Sequence, residues 1–302
     1  MTVVDLIGVP FDGFGRRGHQ ARAAAALRVA GLDSAFGGHA IISQADLDLP
    51  EPKPERGATT GLMNEAALLA MTDELNRRVS AAVAAGRFPF VYGGDCSALI
   101  GAFTGARDAS TGAGLLFIDG HEDTTPLDSS DVGEAANAEL GLLLGITGNL
   151  PTVPFRPELP ALKIDALAML GQRDDDLRRE LNVASLRGRG AWSLRYDDVA
   201  AAPGEIGAAA VAHIQRSASG WWLHTDLDVL AQDELVAQLV PGDVEESGGL
   251  RWPHLTDLVA AALRSGGALG WSLTIYDPDQ DPDGDEARRI VEFIRDVAAF
   301  LP

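Results

Sequence analysis

The sequence contains only one cysteine, Cys96, among 302 residues. A single thiol excludes an internal disulfide and is typical of a reducing compartment. Long apolar runs are missing as well, since no stretch approaches the roughly 18 uninterrupted apolar residues of a membrane-spanning helix. The first nine residues lack the basic flank and the long apolar core of a signal peptide. We therefore expect a cytoplasmic protein.

Basic residues are scarce: 24 Lys and Arg stand against 44 Asp and Glu, which gives a formal net charge of −20. Such a field repels phosphate backbones and anionic lipid, so nucleic acid and membrane surfaces are poor partners. It attracts cations instead, either metal ions or a basic substrate. No repeat or linker divides the chain, which is long enough for one large core. We predict a single domain over residues 1–302.

Short apolar runs alternate with longer amphipathic ones. Strand-like runs are Val3–Val9, Ala40–Ser43, Pro89–Tyr92, Gly114–Asp119, Asp165–Leu170, Trp192–Arg195, Gly220–Asp226 and Ala268–Ile275. Helix-like runs are His19–Ala30, Asn64–Ala85, Ser97–Thr104, Asn137–Ile146, Asp174–Leu181, Glu205–Arg216, His254–Arg264 and Glu286–Phe300. This alternation predicts an α/β fold with a parallel sheet covered on both faces. Long irregular segments at 46–61, 122–135 and 232–253 are expected to include ligand-binding loops at the carboxyl ends of the strands.

An apolar strand ends in three ligand-type side chains at alternate positions, Asp119, His121 and Asp123. If the backbone stays extended through them, all three point to the same side. A second apolar run ends in the same way, in Asp226 and Asp228. A capping aspartate explains one such residue, but ionisable groups at the ends of two buried strands are costly unless a cation neutralises them. Four carboxylates and one imidazole suit a divalent ion such as manganese at a two-metal site.

Two further segments accompany these strand ends: the strand-to-helix turn 92–97, Tyr-Gly-Gly-Asp-Cys-Ser, and the segment 10–18 after the first strand. Together the motifs resemble the arginase–agmatinase–formimidoylglutamase (ureohydrolase) superfamily. Its hallmarks are a Gly-Gly-Asp-His-Ser turn, an Asp-Ala-His-x-Asp strand end and a Ser-x-Asp-x-Asp strand end. The resemblance implies a three-layer α/β/α sandwich around a mostly parallel eight-stranded sheet. It also implies a binuclear manganese hydrolase that assembles as a homo-oligomer, a trimer or a hexamer.

Carried over position by position, the resemblance implies that Asp119 and Asp226 bridge two metal ions. His121 and Asp228 then complete one metal site, and Asp123 binds the other metal. It further implies that a metal-activated hydroxide attacks a trigonal carbon while Asp123 holds its proton. On this basis we predict a metal-dependent hydrolase of a non-peptide C–N bond in an amidine, guanidine or amide.

Two residues of the metal motifs depart from the family. Cys96 stands where the family has a histidine ligand, and three interpretations stay open: a thiolate ligand that favours zinc or iron, a buried thiol beside a weakened site, or a nucleophile. The nucleophile has the least support because no separate base is apparent. His224 replaces the family serine and shares a face with Asp226. It is predicted as a catalytic group that supports the metal site, with a core histidine as the alternative.

The substrate-binding positions depart as well. The family carries a glutamate on its last strand that pairs with a guanidinium, and Ile275 stands at that position here; Asp277 could replace it only through a shifted backbone. Glu139 falls near the position of a proton-shuttling histidine and, with Glu134, is a candidate acid/base or cation-binding group, although an acid at a helix start needs no function. Classical arginase activity is therefore not expected. The alternatives are a catalytically silent relative with a binding or assembly role, and a single-metal amide deacylase.

Three weaker signals are given no function. The G-x-G-x-x-G string at 13–18 begins too far after its strand for dinucleotide binding. The acidic segment 279–284 begins like a calcium loop but lacks the glutamate at the twelfth position. Four histidines are isolated in the sequence and are predicted at the surface or at helix caps: His19, His39, His213 and His254.

Overall fold

Eight parallel strands form one sheet in the computed structural model, which describes residues 2–127, 133–146, 159–238 and 247–302. The strands are β1 (Val3–Gly8), β2 (Ala40–Ser43), β3 (Phe88–Tyr92), β4 (Ala113–Ile118), β5 (Leu167–Gln172), β6 (Trp192–Arg195), β7 (Gly220–Asp226) and β8 (Ala268–Thr274). Their order across the sheet is β2-β1-β3-β8-β7-β4-β5-β6. The predicted α/β class and the eight-stranded parallel sheet are confirmed.

Helices cover both faces of this sheet. In the described part of the chain they are α1 (Ala23–Val29), α2 (Glu65–Ala84), α3 (Ala98–Ala109), α4 (Glu139–Leu144), α5 (Asp175–Glu180), α6 (Tyr196–Ala201), α7 (Pro203–Ile214), α8 (Trp252–Arg264) and α9 (Asp285–Ala298). Buried residues of α1, α7, α8 and α9 belong to one hydrophobic cluster, and those of α2, α3 and α4 belong to another. The sheet between the two clusters gives the predicted α/β/α sandwich.

The side chains of β4 show why its sequence is apolar throughout. Leu115 and Phe117 belong to the cluster with α2 and α3, whereas Leu116 and Ile118 belong to the cluster with α7 and α8. All four side chains are fully buried. Because successive side chains of a strand point to opposite faces, a strand between two helical layers needs an apolar residue at every position.

Most predicted elements are confirmed to within about two residues, the uncertainty expected of boundaries. Helix α3 is the clearest error at a boundary, since it runs to Ala109 and not to Thr104. Gly105 does not end this helix but lets it approach α2, because a Cβ there would lie 2.6 Å from the carbonyl oxygen of Asn76. Helix α6 was not predicted at all.

Among the described residues, no helix has both the length and the apolarity to cross a membrane. Of the irregular segments predicted from the sequence, positions 128–132 and 239–246 lie outside the described residues. Two of those segments follow the carboxyl ends of β4 and β7, where the candidate site lies.

Candidate metal centre

Four adjacent strands, β3, β8, β7 and β4, bring their carboxyl ends to the same edge of the sheet. In an open parallel sheet this edge is where ligands bind. The residues singled out in the sequence follow these strands directly, so they converge although they are far apart in the chain. Cys96 and Asp226, for example, are 130 positions apart and in contact.

Cys96 lies in the turn between β3 and α3. Gly93 and Gly94 open the turn with φ values of 83° and 71°. A Cβ on Gly93 would stand 2.8 Å from the backbone nitrogen of Ala24, so only glycine fits this left-handed and crowded position. The turn points the buried Cys96 thiol at the carboxylate of Asp226, to which it donates a hydrogen bond.

Asp119, His121 and Asp123 follow β4, but their backbone is not extended as predicted. The strand ends at Ile118, and Asp123 has a φ of 41°. Distant contacts impose this turn: Glu122 receives a hydrogen bond from the backbone nitrogen of Leu186 at 2.7 Å, and its own N–H donates to Asp174 at 3.0 Å. The turn still gathers one ligand atom from each of the three predicted residues within 4.8 Å.

Asp226 and Asp228 follow β7 and make different contacts. Asp226 accepts a hydrogen bond from the backbone N–H of Asp228 at 2.9 Å. Asp228 accepts from the Gly120 N–H at 3.0 Å and lies 2.9 Å from Nδ1 of His121. Burial alone would raise the pKa of Asp228, but His121, Arg173 and the Gly120 N–H lower it to about 2. The loop after β7 is thereby joined to the loop after β4.

His224 lies two residues before Asp226 on β7 and faces the same cluster. Its Nδ1 is 2.8 Å from the hydroxyl of Ser272, and its Nε2 has no hydrogen-bonding partner among the described residues. Burial lowers the pKa of His224 to about 3, so the imidazole is neutral. A neutral imidazole with a buried unpartnered nitrogen is able to bind a metal ion.

Two groups of ligand atoms result, and one residue belongs to both. Cys96, Asp119, His224 and Asp226 form the first group, and Asp119, His121 and Asp123 form the second. Within each group the ligand atoms lie within 4.8 Å of one another. Asp228 belongs to neither group and contacts the second through His121. The arrangement brings together all six predicted metal ligands, and Asp119 is the residue that the two groups share.

The charge of this centre fits divalent cations. Burial, reinforced by neighbouring carboxylates, raises the pKa of four carboxyl groups well above the ordinary range: Asp119, Asp123, Glu139 and Asp226. One carboxylate oxygen of Asp119 has no hydrogen-bonding partner in the described part of the chain. Buried carboxylates at this density need positive charge, which protons or metal ions provide. Oxygen, nitrogen and sulfur donors together suit first-row transition metals.

Glu139 is the first residue of α4 and is fully buried. Its carboxyl group pairs with that of Asp123, and burial together with the charge of Glu139 raises the pKa of Asp123. The first turn of α4 is held against the site because Gly141 donates a backbone hydrogen bond to Asp123 at 3.1 Å. Glu134, the second predicted candidate, is buried near Asn137.

Ile275 follows β8 with a φ of 60°, an uncommon conformation for a β-branched residue. With Cys96 and Ala136 it forms a small buried hydrophobic cluster. Asp277 does not take its place, because the Asp277 carboxylate lies 2.9 Å from Nδ1 of His19 and accepts a hydrogen bond from Gln280 at 2.9 Å. The described wall of the site at this point is therefore apolar.

The structure corrects one assignment and adds two residues. His19 is not isolated, because it forms a third group of acidic and imidazole side chains with Asp277 and Asp279. Ser272 was missed, although its pairing with His224 in neighbouring strands follows from strand register. Arg173 was also missed; it donates hydrogen bonds to the carbonyl oxygens of Asp228 and Gly248, both at 2.7 Å.

Comparisons with known proteins bear on the family and the fold of this chain. The family model described as the arginase family matches residues 3–299. The arginase of Staphylococcus aureus strain MRSA252 is 29% identical over 181 residues, which cover 57% of this chain and 58% of that protein. The arginase of Saccharomyces cerevisiae is 33% identical over 122 residues, or 40% of this chain and 36% of the relative. The matched segment thus spans less than two thirds of the length of either relative.

Solved structures share the fold over almost the whole chain. Arginase from Bacillus caldovelox superposes with a TM-score of 0.84 at 22% identity and covers 99% of this chain and 98% of its own. Formimidoylglutamase from Bacillus subtilis has a TM-score of 0.71 at 15% identity, with coverage of 99% and 87%. At such identities the similarity concerns the fold.

Proposed function

Because the chain belongs to the arginase family, we propose that it is a metal-dependent hydrolase of a non-peptide C–N bond in an amidine, guanidine or amide. The observation that carries the proposal is the position of Asp119 in both groups of ligand atoms. A carboxylate between two cation sites is the arrangement that two-metal hydrolases use. The position of both groups at the carboxyl edge of the sheet supports the same function.

Asp119, Asp226, His121, Asp228 and Asp123 would hold two divalent ions, with manganese as the cation that the family pattern implies. Asp119 belongs to both groups of ligand atoms, whereas Asp226 belongs to the first and His121 and Asp123 to the second. When bound, such ions supply a water nucleophile of lowered pKa and polarise the group under attack. Arg173 and Gly120 keep Asp228 in place through the hydrogen bonds described above.

Asp123 and Glu139 would move protons during the reaction. Both carboxyl groups are buried and lie against each other, as groups that pass a proton between them must. In hydrolysis of a C–N bond, the attacking water gives up a proton and the leaving nitrogen gains one. Asp123 would accept the first proton, and Glu139, which begins the neighbouring helix, would return a proton to the nitrogen. His224, on β7, would support the metal-binding side chains beside it.

The substrate is proposed to lack an arginine-like guanidinium at the wall formed by Cys96, Ala136 and Ile275. A buried apolar wall leaves a planar cation without its carboxylate partner, whereas a neutral amide or an apolar substituent packs there without an unpaired charge. Asp277 is held by His19 and Gln280 and does not reach this wall as an ion-pair partner. Neutral C–N substrates are therefore favoured over arginine.

The test is a panel of guanidines, amidines and acylamines offered to the protein with manganese or zinc, scored for release of urea, ammonia or acid. We expect turnover of at least one neutral substrate, abolished by Asp226→Asn. His213→Asn is the matched control, because His213 lies on α7 and contacts Trp192 and Arg216 rather than the site. No turnover together with no stoichiometric metal would favour a silent relative, and one metal per chain with acid release alone would favour a deacylase.

The proposed assembly is a homo-oligomer, a trimer or a hexamer. Light scattering on the purified protein tests it, since the mass should be a multiple of the 31.7 kDa chain. The cytoplasmic location stays a prediction from the sequence, as do the lack of nucleic-acid and membrane partners.

A further inference from the structure

His224 lies at the centre of the sheet with one ring nitrogen hydrogen-bonded and the other without a partner in the described part of the chain. It is fully buried between its register neighbours, Phe117 on β4 and Ser272 on β8. The Phe117 ring stacks on the imidazole with centroids 5.4 Å apart and an interplanar angle of 21°. The ring cannot turn to find another partner for Nε2 without breaking this stack and the bond to Ser272. A buried nitrogen held in this way is available to bind a ligand.

The hydrogen bonds around Ser272 decide which nitrogen of His224 carries the proton. The indole N–H of Trp222 can only donate, and it donates to Ser272 Oγ at 2.9 Å. The Ser272 hydroxyl has its own acceptor in the carbonyl oxygen of Leu223, at 3.5 Å. With its proton used there, Ser272 Oγ accepts from Nδ1–H of His224 as well. This assignment satisfies every group and leaves the lone pair on Nε2, the tautomer that binds metals.

We infer that His224 and Cys96 are ligands of the same metal ion. One ligand atom from each of them lies within 4.8 Å of the other and of a carboxylate oxygen from Asp119 and from Asp226. A tetrahedral ion with bonds of about 2.0–2.3 Å needs ligand atoms roughly 3.3–3.8 Å apart, so small movements suffice to close the site. The Cys96 thiol, which now donates to Asp226, loses its proton when the ion binds.

The two departures from the family pattern then have one explanation. The pattern Gly-Gly-Asp-His-Ser has an imidazole in the turn after β3, where this chain has Cys96. The pattern Ser-x-Asp-x-Asp has a hydroxyl on β7, where this chain has His224. The site keeps one imidazole, which has moved from the turn to the strand, and gains a thiolate. Cys96 and His224 then both belong to a working metal site.

This ligand set selects zinc over manganese. Thiolate and imidazole ligands in tetrahedral geometry are typical of zinc sites, whereas manganese prefers oxygen ligands and binds most weakly of the divalent first-row ions. The second group, Asp119, His121 and Asp123, contains no sulfur and lacks this preference. The inference rests on the proposed function only in assuming that the centre holds metal, and it can fail while that function stands.

The first experiment loads metal-free protein with equal concentrations of zinc and manganese, removes unbound ions and measures the metal content. X-ray absorption at the zinc edge of protein holding one equivalent of zinc then identifies the ligands. We expect zinc in preference to manganese, with a sulfur neighbour at about 2.3 Å and nitrogen or oxygen neighbours at about 2.0 Å. A zinc environment without sulfur would overturn the inference.

Variants separate the two ligands from each other and from folding. Cys96→Ser should remove the sulfur neighbour, and His224→Asn should weaken zinc binding at least 100-fold, more than loss of a supporting residue does. The double variant Cys96→His with His224→Ser returns both positions to the family pattern. We expect it to favour zinc over manganese less strongly than the unaltered protein does, and to recover affinity lost in His224→Asn. His213→Asn is the control, and thermal unfolding of the metal-free variants confirms that each is folded.

The outcomes for the two proposals are distinguishable. If His224→Asn binds zinc as tightly as the unaltered protein, His224 is not a ligand, and hydrolysis of the substrate panel can still occur. If the protein hydrolyses nothing but shows the expected sulfur neighbour, the function is wrong and the ligand set stands.

Discussion

The hydroxyl oxygen of Ser272 lies 2.8 Å from Nδ1 of His224 and joins strand β8 to the ligand edge of strand β7. The same oxygen accepts the indole N–H of Trp222 at 2.9 Å. A single serine thus fixes the orientation of an imidazole in the candidate metal centre. Removing partners that orient a metal-binding histidine typically costs about 10–100-fold in metal affinity.

We expect Ser272→Ala to weaken metal binding by about 10–100-fold. It should also destabilise the protein by about 1–3 kcal/mol, because the indole N–H of Trp222 is left buried without an acceptor. Metal titration and thermal unfolding measure the two effects separately. Ser265→Ala, which removes a hydroxyl at the end of α8, serves as the control. Lower stability with unchanged metal affinity would show that Ser272 has no part in orienting His224.

Asp119 and Asp228 allow a second test, because only Asp119 belongs to both groups of ligand atoms. Asp119→Asn should lower the affinity for both metal ions by more than about 100-fold, beyond the loss expected for a supporting residue. Asp228→Asn should affect only the ion beside His121. Metal content after gel filtration distinguishes the variants. Equal loss of both ions in the two variants would contradict the shared role of Asp119.

A third prediction concerns the apolar wall at Ile275. Ile275→Glu should improve binding of cationic guanidines relative to neutral amides by about tenfold, since a carboxylate forms charge-assisted hydrogen bonds with a guanidinium. Ile275→Gln is the matched control, because a glutamine side chain has nearly the same shape as a glutamate side chain but carries no charge. Inhibition constants for a cationic guanidine and a neutral amide give the comparison. An equal gain in both variants would attribute the effect to size or to relief of backbone strain.

The pH dependence of stability can be tested at Glu65, away from the metal centre. Glu65 accepts hydrogen bonds from Thr59 and Thr60 before helix α2. Burial acts to raise the pKa of Glu65, but these hydrogen bonds outweigh it and lower the pKa below the ordinary value of 4.5. A lowered pKa means that the folded state holds the proton less tightly than the unfolded state. The stabilisation is therefore present above about pH 4.5 and is lost as the pH falls through the folded-state pKa.

Glu65→Gln should accordingly reduce the free energy of unfolding by about 1 kcal/mol at pH 7. The difference from the unaltered protein should shrink toward zero as the solution is acidified, because both side chains are then neutral. Denaturant unfolding curves across this pH range provide the measurement. A difference that stays constant with pH would mean that the charge of Glu65 contributes nothing.

The sequence was sufficient to predict the sheet and the grouping of the acids at its edge. Asp226 and Asp228 end an apolar strand at alternate positions, and adjacent parallel strands place such ends together. The conformation of Asp123 was beyond sequence reasoning, since its turn depends on contacts from Glu122 to Asp174 and Leu186, far along the chain. Contacts between residues so far apart in the chain cannot be predicted from the pattern of apolar and polar residues around Asp123.

Helix α6 and the orientation of His224 were missed for related reasons. Residues 196–201 form only six helical positions, of which Val199 alone is buried, so no apolar periodicity reveals the helix. For His224 the sequence places the side chain on the same face as Asp226. It does not show that Ser272, which accepts from Trp222, holds Nδ1 of His224, nor that Nε2 has no partner among the described residues.

The contact between Cys96 and Asp226 joins segments 130 positions apart. An ion that binds both of them can do so only after β7 has taken its place beside β8 and β4, so it stabilises the finished sheet and no earlier intermediate. Added metal should therefore slow unfolding of the native protein more than it speeds folding. Hydrogen exchange at the ends of β3, β4 and β7 should slow together when metal is added, because one ion closes three loops at once.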